Sequence, residues 1–263
     1  TELMTLKGHT DQVLSANFSP DGNFVVTASG DKTVRIWNIK PKENPVLIGH
    51  TAEVFDANFS PDGKWVVTAG WDYTARVWSF FGKEMARLPH SYYGITQASF
   101  SFDNRKVLTT NYGTGQVKIW DPNGQILDTL QHKEAISLTT NCFSNTGQFV
   151  LTKTEDNSIH IWNNAGVEIL TIEQVLKARV SNDDKFILCA KEDSLASIFD
   201  IKGNLIVKFK GHTGNLTDVD FSSDNTRVLT SSEDTTARIW DLTGKCLHIL
   251  KGHQAGLTNA KYS

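Results

Sequence analysis

Short stretches in which apolar and polar residues alternate follow one another along the chain, each closed by a cluster of turn-forming residues. Val13 to Phe18 alternates and ends at Pro20-Asp21-Gly22. Phe24 to Ala28, rich in β-branched residues, ends at Ser29-Gly30-Asp31-Lys32. Thr33 to Trp37 alternates again, and Pro45 to Ile48 is a fourth run. Extended backbone sends successive side chains to opposite faces, so a period of two between Asx and Gly turns predicts strands. No stretch combines a 3.6-residue apolar period with capping residues, so almost no helix is expected.

The four-strand pattern repeats. Arg35-Ile36-Trp37, Arg76-Val77-Trp78, Lys118-Ile119-Trp120, His160-Ile161-Trp162, Ser197-Ile198-Phe199 and Arg238-Ile239-Trp240 recur with final residues 41, 42, 42, 37 and 41 apart. Gly-His stands at Gly8-His9, Gly49-His50, Gly211-His212 and Gly252-His253, with Pro89-His90 and Gln131-His132 in the two intervening slots. Ser19-Pro20-Asp21-Gly22 and Ser60-Pro61-Asp62-Gly63 mark a turn, and Ser101-Phe102-Asp103-Asn104, Ser144-Asn145-Thr146-Gly147, Ser181-Asn182-Asp183-Asp184 and Ser222-Ser223-Asp224-Asn225 are its degenerate forms. A sheet of four short strands cannot bury both of its faces, so such units must stack side by side.

In this register the sequence resembles the WD-repeat β-propeller family, whose Gly-His and Trp-Asp landmarks recur at this period. The resemblance covers essentially the whole chain. It implies an all-β β-propeller of four-stranded antiparallel blades, six complete blades plus an incomplete seventh. Blade units run about 7–48, 49–88, 89–130, 131–172, 173–210 and 211–250 in a single domain, 1–263, with 251–263 and 1–6 forming the partial seventh. Leu3 to Leu6 matches the last strand of a unit, and Leu257 to Ser263 matches a first strand. The expectation is a native protein that continues past Ser263 and closes a seven-bladed ring; a six-bladed ring with spare strands is the alternative. Open strand edges on such a chain are an aggregation hazard. The near-identity of units one, two and six is similar to the duplicated repeats of large bacterial signalling proteins.

The register exposes a second pattern. A hydroxyl residue stands four positions before the turn Asp and a Trp six positions after it. The sets are His9, Thr27, Asp31 and Trp37; His50, Thr68, Asp72 and Trp78; His132, Thr152, Asp156 and Trp162; and His212, Thr230, Asp234 and Trp240. The resemblance implies that these side chains form a hydrogen-bonded chain tying the loop between blades to the two central strands. Their chemistry suits it: indole N–H only donates, hydroxyl and neutral imidazole do both, and carboxylate only accepts. The same residues invite a reading as a nucleophile, base and orienting acid. Four copies in one domain argue for repeated staples instead. The histidines lie about one blade apart with no paired ligand, so no metal is expected. The third unit has Gly113-Thr114 where the Asp should be. The fifth lacks the His and carries Cys189 and Phe199 for the hydroxyl residue and the Trp, although Asp193 remains. It is expected to be the least stable blade, with residues 175–209 exchanging amide protons sooner than blades one and two.

Just before the turn Asp, the units carry Gly30, Trp71, Tyr112 (slot shifted), Glu155, Glu192 and Glu233, and Tyr73, Tyr92 and Tyr93 fall on nearby loops. Exposed Trp and Tyr are frequent interface anchors, and an acidic arc favours a basic partner. These residues predict a protein or peptide docking across blades two and three, with its basic groups toward blades four to six. The bland reading is that Trp71 and Tyr112 pack on neighbouring loops and the glutamates solvate a rim. Serine at Trp71, Tyr92, Tyr93 and Tyr112 is expected to abolish capture without lowering the melting temperature. Arg35, Arg76, Lys118 and Arg238, one per blade, are expected to cover apolar surface with their stems.

Composition narrows the function further. Net charge is -3, with 26 basic and 29 acidic residues, too balanced to favour nucleic acid or an anionic membrane. No apolar run is long enough to span a bilayer, and Thr1 to His9 is too polar for a signal peptide. Cys142, Cys189 and Cys246 match no metal or redox spacing and read as reduced thiols of a cytosolic protein. Asn17-Phe18-Ser19, Asn58-Phe59-Ser60 and Asn215-Leu216-Thr217 match the glycosylation pattern but carry little weight without a secretion signal. The expected function is a non-catalytic, cofactor-free interaction scaffold or sensor, part of a larger chain or complex. One rival is a propeller enzyme, such as a glycosidase or quinone-dependent dehydrogenase, with a site in the central channel. The strand lining that channel offers Asp56, Asp218 and Asp220 but no general base paired with a nucleophile. The other rival is a passive structural spacer.

Overall fold

The structure, a computed structural model, describes residues 4–39, 45–132, 138–163, 165–191 and 194–262, and for 138–142 the backbone alone. Among the described residues there is no helix. Six sheets of four strands each follow the chain in simple up-and-down order. The first contains β1 (Val13–Phe18), β2 (Phe24–Ser29), β3 (Val34–Asn38) and β4 (Val46–Leu47). The second contains β5 (Val54–Phe59), β6 (Trp65–Gly70), β7 (Thr74–Ser79) and β8 (Glu84–Pro89). The third contains β9 (Ile95–Phe100), β10 (Val107–Asn111), β11 (Gln116–Trp120) and β12 (Ile126–Gln131). The fourth contains β13 (Leu138–Phe143), β14 (Phe149–Thr154), β15 (Ile159–Asn163) and β16 (Glu168–Ile172). The fifth contains β17 (Val175–Val180), β18 (Phe186–Lys191), β19 (Ala196–Asp200) and β20 (Leu205–Phe209). The sixth contains β21 (Leu216–Phe221), β22 (Arg227–Ser232), β23 (Ala237–Asp241) and β24 (Cys246–Leu250). These are the antiparallel blades of a β-propeller fold. Met4–Leu6 and Leu257–Tyr262, read above as strands of a further blade, carry no strand assignment.

The chain divides into two compact units, Thr1–Phe143 and Ser144–Ser263. In the first, Val67, Ala69, Val77 and Leu88 pack with Ile95, Ala98, Val107 and Trp120, so the second and third sheets share one core. Val26, Ile36 and Leu47 pack with Val54, Ala57 and Trp78 in the same way. In the second unit, Leu188, Ile198 and Phe209 pack with Val219, Val228 and Trp240. The middle strands are the most buried because each has neighbours on both faces; β10 is buried at every position. By contrast β1 shows one side, and Phe18 is 69% exposed.

Two local devices set the blade geometry. The register shifts at the recurring aromatic slot of the third strand, between Val77 and Trp78, Ile119 and Trp120, Ile161 and Trp162, Ile198 and Phe199, and Ile239 and Trp240. Such an irregularity bends the strand locally and increases its twist. The turn after each first strand is closed by a serine. Ser19 Oγ donates to Asp21 Oδ1 (2.6 Å) and accepts from Phe24 N (2.9 Å), and Ser60, Ser101 and Ser222 donate likewise to Asp62, Asp103 and Asp224. The residue after the turn carboxylate takes left-handed backbone, with φ of 70° at Gly63, 60° at Asn104, 57° at Asp184 and 56° at Asn225. Only Gly, Asn and Asp visit that region at low cost.

Candidate functional site

The repeated His, Thr, Asp and Trp side chains meet in the first, second and sixth blades. In the first, Trp37 Nε1 donates to Thr27 Oγ1 (2.8 Å), His9 Nε2 lies 2.7 Å from the same oxygen, and His9 Nδ1 lies 2.8 Å from Asp31 Oδ2. The second gives 2.9 Å for Trp78 to Thr68, 2.7 Å for Thr68 to His50 Nε2 and 3.0 Å for His50 Nδ1 to Asp72. The sixth gives 2.9, 2.7 and 2.8 Å for Trp240, Thr230, His212 and Asp234 in the same order. An ionised carboxylate only accepts, so Nδ1 carries the proton and Nε2 accepts from the hydroxyl. Burial works to raise the Asp31 carboxyl, but the Thr33 hydroxyl, Thr10 N–H and His9 outweigh it and hold the group well below the usual range. Asp234 is held down in the same way against burial by Thr236, Thr213 N–H and His212. Thr27, Thr68 and Thr230 are buried and have both a donor and an acceptor partner. Burial closes these three hydroxyls to substrate, so they do not serve as nucleophiles.

At the same end of the second and third sheets stands an aromatic cluster. Trp71 leans on Phe55 (ring centroids 5.4 Å apart) and on Tyr112 (6.1 Å), and it remains 38% exposed. Its ring lies close against Gly94: a Cβ built there would stand 2.1 Å from Trp71 Cε3, so only glycine permits the approach. The loop bearing Tyr92 and Tyr93 is held by Asn111, whose Nδ2 donates to Tyr92 O (3.0 Å), and by Tyr112 N donating to Gly94 O (3.0 Å). Tyr73 and Tyr93 take left-handed backbone, φ 63° and 61°. Tyr73, Tyr93 and Tyr112 are about half exposed, and Tyr92 is 73% exposed. The sequence pattern marks these five aromatic residues but not Phe55, Gly94 and Asn111, which build the platform beneath them. It also treated Trp71 as freely removable; its packing on Phe55, Gly94 and Tyr112 means that truncation there removes buried area as well as surface. Glu155 and Glu233 are exposed in the second unit, where Asn215 Nδ2 donates to Glu233 Oε2 (3.2 Å). Glu192 and Asp193 lie outside the described residues.

Residues 1–38, 42–79, 82–121, 124–163 and 203–241 match the WD40 family, described as WD domain, G-beta repeat. The chain belongs to the WD40 family. Single WD40 units are similar to the B-type cell cycle switch protein ccs52A of Medicago truncatula, 51% identical over 41 residues, 16% of this chain and 9% of that protein. A second similarity is to meiotic fizzy-related protein 1 of Schizosaccharomyces pombe, 47% identical over 49 residues, 18% of this chain and 12% of that protein. A third is to Lissencephaly-1 homolog 1 of Paramecium tetraurelia, 44% over 43 residues, 16% of this chain and 11% of that protein. The chain thus matches about a tenth of the length of these relatives.

The two degenerate WD40 units differ in kind. In the third, Trp120 Nε1 donates to Thr109 Oγ1 (2.8 Å) and His90 Nε2 lies 2.8 Å from it, so half the network stands. Without the Asp, buried His90 Nδ1 has no partner. Burial, aided by the nearby Lys118 charge, pushes the His90 pKa down to about 3. The fifth unit, the segment the family match skips, shows no such network among the described residues. Cys189 is fully buried, its thiol pushed up to about 12 by burial, and the Lys191 ammonium sits 5.7 Å over the Phe199 ring. In the fourth, Trp162 Nε1 donates to Thr152 Oγ1 (2.9 Å), His132 is buried, and exposed Asp156 accepts from Thr154 Oγ1 and Ser158 N.

The cationic strand residues lie across the WD40 tryptophans: Arg35 Cζ is 5.8 Å above Trp37, Lys118 Nζ 5.3 Å above Trp120 and Arg238 Cζ 5.9 Å above Trp240. Arg76 instead pairs with Asp72 (3.2 Å) and Glu84 (2.7 Å). The inner-strand carboxylates are each engaged or enclosed. Asp56 accepts from Ser15 Oγ (3.1 Å), Asn58 Nδ2 (2.9 Å) and Ala98 N (3.3 Å), and burial raises its carboxyl. Asp220 accepts from Tyr262 N (3.1 Å). Asp218 is buried with Arg179 Nη2 at 3.6 Å, beyond hydrogen-bonding range. Among the described residues no group of three or more His, Cys, Asp or Glu could hold a metal ion.

Proposed function

We propose that this WD40 chain is a protein-interaction scaffold and that the aromatic platform on its second and third blades is the surface that holds the partner. The observation that carries this reading is the Trp71 stack: a large ring fixed by Phe55, Gly94 and Tyr112 yet open to solvent, with three further tyrosines beside it. Rigid aromatics offer contact area and a polar handle while losing little side-chain entropy. Repeating, buried hydrogen-bond networks brace the blades beneath them. In the second unit, taken by itself, the exposed carboxylates Glu155 and Glu233 favour a partner with basic groups.

The test is selection of a displayed peptide library on the immobilised chain. Selected peptides are expected to lose at least about tenfold in affinity on Tyr92→Ser or Tyr112→Ser, the loss typical of an interface anchor. Tyr92 is mostly exposed, so its substitution leaves the melting temperature unchanged. Selected peptides indifferent to both substitutions would place the interaction on another face.

A further inference from the structure

At the far end of β2 and β6 from the aromatic platform, neighbouring blades touch through their serine-closed turns. Where the left-handed residue of a turn has a side chain, it crosses to the preceding turn. Asn104 Oδ1 accepts from Asp62 N (3.3 Å), and Asn225 Oδ1 accepts from Asn182 N (2.9 Å). Asp184 accepts from Asn145 N (3.0 Å) and Thr146 N (3.1 Å) and also from the Thr146 hydroxyl. Gly63 has no side chain with which to make this bridge, and the space between the first and second turns stays open. A pocket of about 160 Å³ lies there. Its apolar walls are Pro20, Pro61, Phe24 and Phe80, and Asp21 and Asp62 line it as well. Proline occupies this turn position only in these two units.

The pocket is built from aromatic and carboxylate surface together. Phe24 and Phe80 meet edge to face, centroids 4.7 Å apart, and Phe81, 87% exposed, continues the aromatic surface from Phe80 at 5.6 Å. The Ser19 hydroxyl and the Asn23 side chain and N–H hold the Asp21 carboxyl down at about 2, so it is charged throughout the neutral range. Asp62 already draws a cation, the exposed ammonium of Lys64 at 3.3 Å. The volume is well below the roughly 300–1,000 Å³ of a small-molecule site and suits one side chain.

We propose that this pocket takes a single arginine side chain from a partner protein. The methylenes and the guanidinium face lie along Phe24, Phe80 and the two prolines, and the N–H fork reaches the Asp21 and Asp62 carboxylates. A planar guanidinium stacks on aromatic faces and bonds carboxylates with directed donors; a lysine ammonium does neither as well. This site is separate from the aromatic platform and does not depend on it.

The experiment titrates the full chain with a capped Gly-Gly-Arg-Gly-Gly peptide and with its citrulline counterpart, which keeps the shape and loses the charge, following backbone amides by NMR. The arginine peptide is expected to shift the amides of Gly22 and Gly63, and the citrulline peptide to leave them in place. Asp21→Asn weakens the arginine response about tenfold, the effect of one charge-assisted contact. Gly63→Asn is the sharper variant. Asparagine tolerates the left-handed backbone there, bridges to the first turn as Asn104 does to the second, and closes the opening; it abolishes the response without lowering the melting temperature. Tyr92→Ser leaves the response intact. Equal binding of the citrulline peptide, undiminished binding by Gly63→Asn or Asp21→Asn, or no shift at millimolar arginine peptide overturns the proposal.

Discussion

A threonine hydroxyl at the centre of each complete network accepts one proton from indole and gives its own to imidazole, so it uses a donor and an acceptor at one buried atom. Valine has the same shape and can do neither. Thr68→Val therefore leaves Trp78 Nε1 and His50 Nε2 buried and unpaired, and it is expected to lower unfolding stability by about 2 kcal/mol or more, while Thr68→Ser largely preserves it. Urea denaturation of the two variants measures this. The third blade makes the complementary case. The folded pKa of His90, about 3, lies below its ordinary 6.5. As pH falls below 6.5 the unfolded chain binds a proton that the folded chain refuses, so His90 removes stability progressively from pH 6.5 down to about 3. His212, also lowered by burial, adds a slope of the same sign. His90→Gln keeps a partner for Thr109 and cannot titrate. Its urea midpoint is expected to fall less between about pH 7 and pH 5 than that of the unsubstituted chain; an identical fall would mean that His90 does not titrate as described.

At the scale of the strand and the blade, the network decides which units are firmly held. The fifth blade keeps its four strands, its aromatic bulge between Ile198 and Phe199 and a dense core around Leu188 and Phe209. A thiol and a phenyl ring stand where hydroxyl and indole stand elsewhere, so the indole-to-hydroxyl hydrogen bond of the other blades cannot form there. Amides in β17 to β20 are expected to exchange sooner than those of β5 to β8, as measured by hydrogen–deuterium exchange under native conditions. Equal protection would show that strand pairing and core packing alone hold a blade. The elements themselves were legible from period-two alternation between turns, because each strand buries one face and the turns need Gly, Asn or Asp. The bridges between turns were not. Asn104, Asp184 and Asn225 read as mere degeneration of a glycine slot, and a side chain's reach to another blade leaves no local signal in sequence.

For the molecule as a whole, repetition carried the reading, since a weak pattern seen once becomes specific when seen in register six times. The aromatic cluster stands out in sequence because it breaks that repetition: Trp71 and Tyr112 stand where other units have Gly or Glu. Its supports, Phe55, Gly94 and Asn111, obey the repeat or look like ordinary loop residues, and only their approach in space reveals them. The ends of the chain were the least legible. Met4–Leu6 and Leu257–Tyr262 have strand-like sequences, but a strand forms only where a partner completes its hydrogen bonds.

The imidazole of each network comes from the segment ahead of the blade it fastens, eighteen residues before the threonine in His9, His50 and His212. That arrangement sets where one unit can be exchanged for another. A crossover just upstream of Gly-His transfers donor, acceptor and relay together, and the new arrival brings its own fastening. A crossover between the histidine and the inner strand parts them, obliging each blade to accept a stranger's imidazole. Gene duplication, or an engineer splicing chimeras, therefore has one natural seam per repeat.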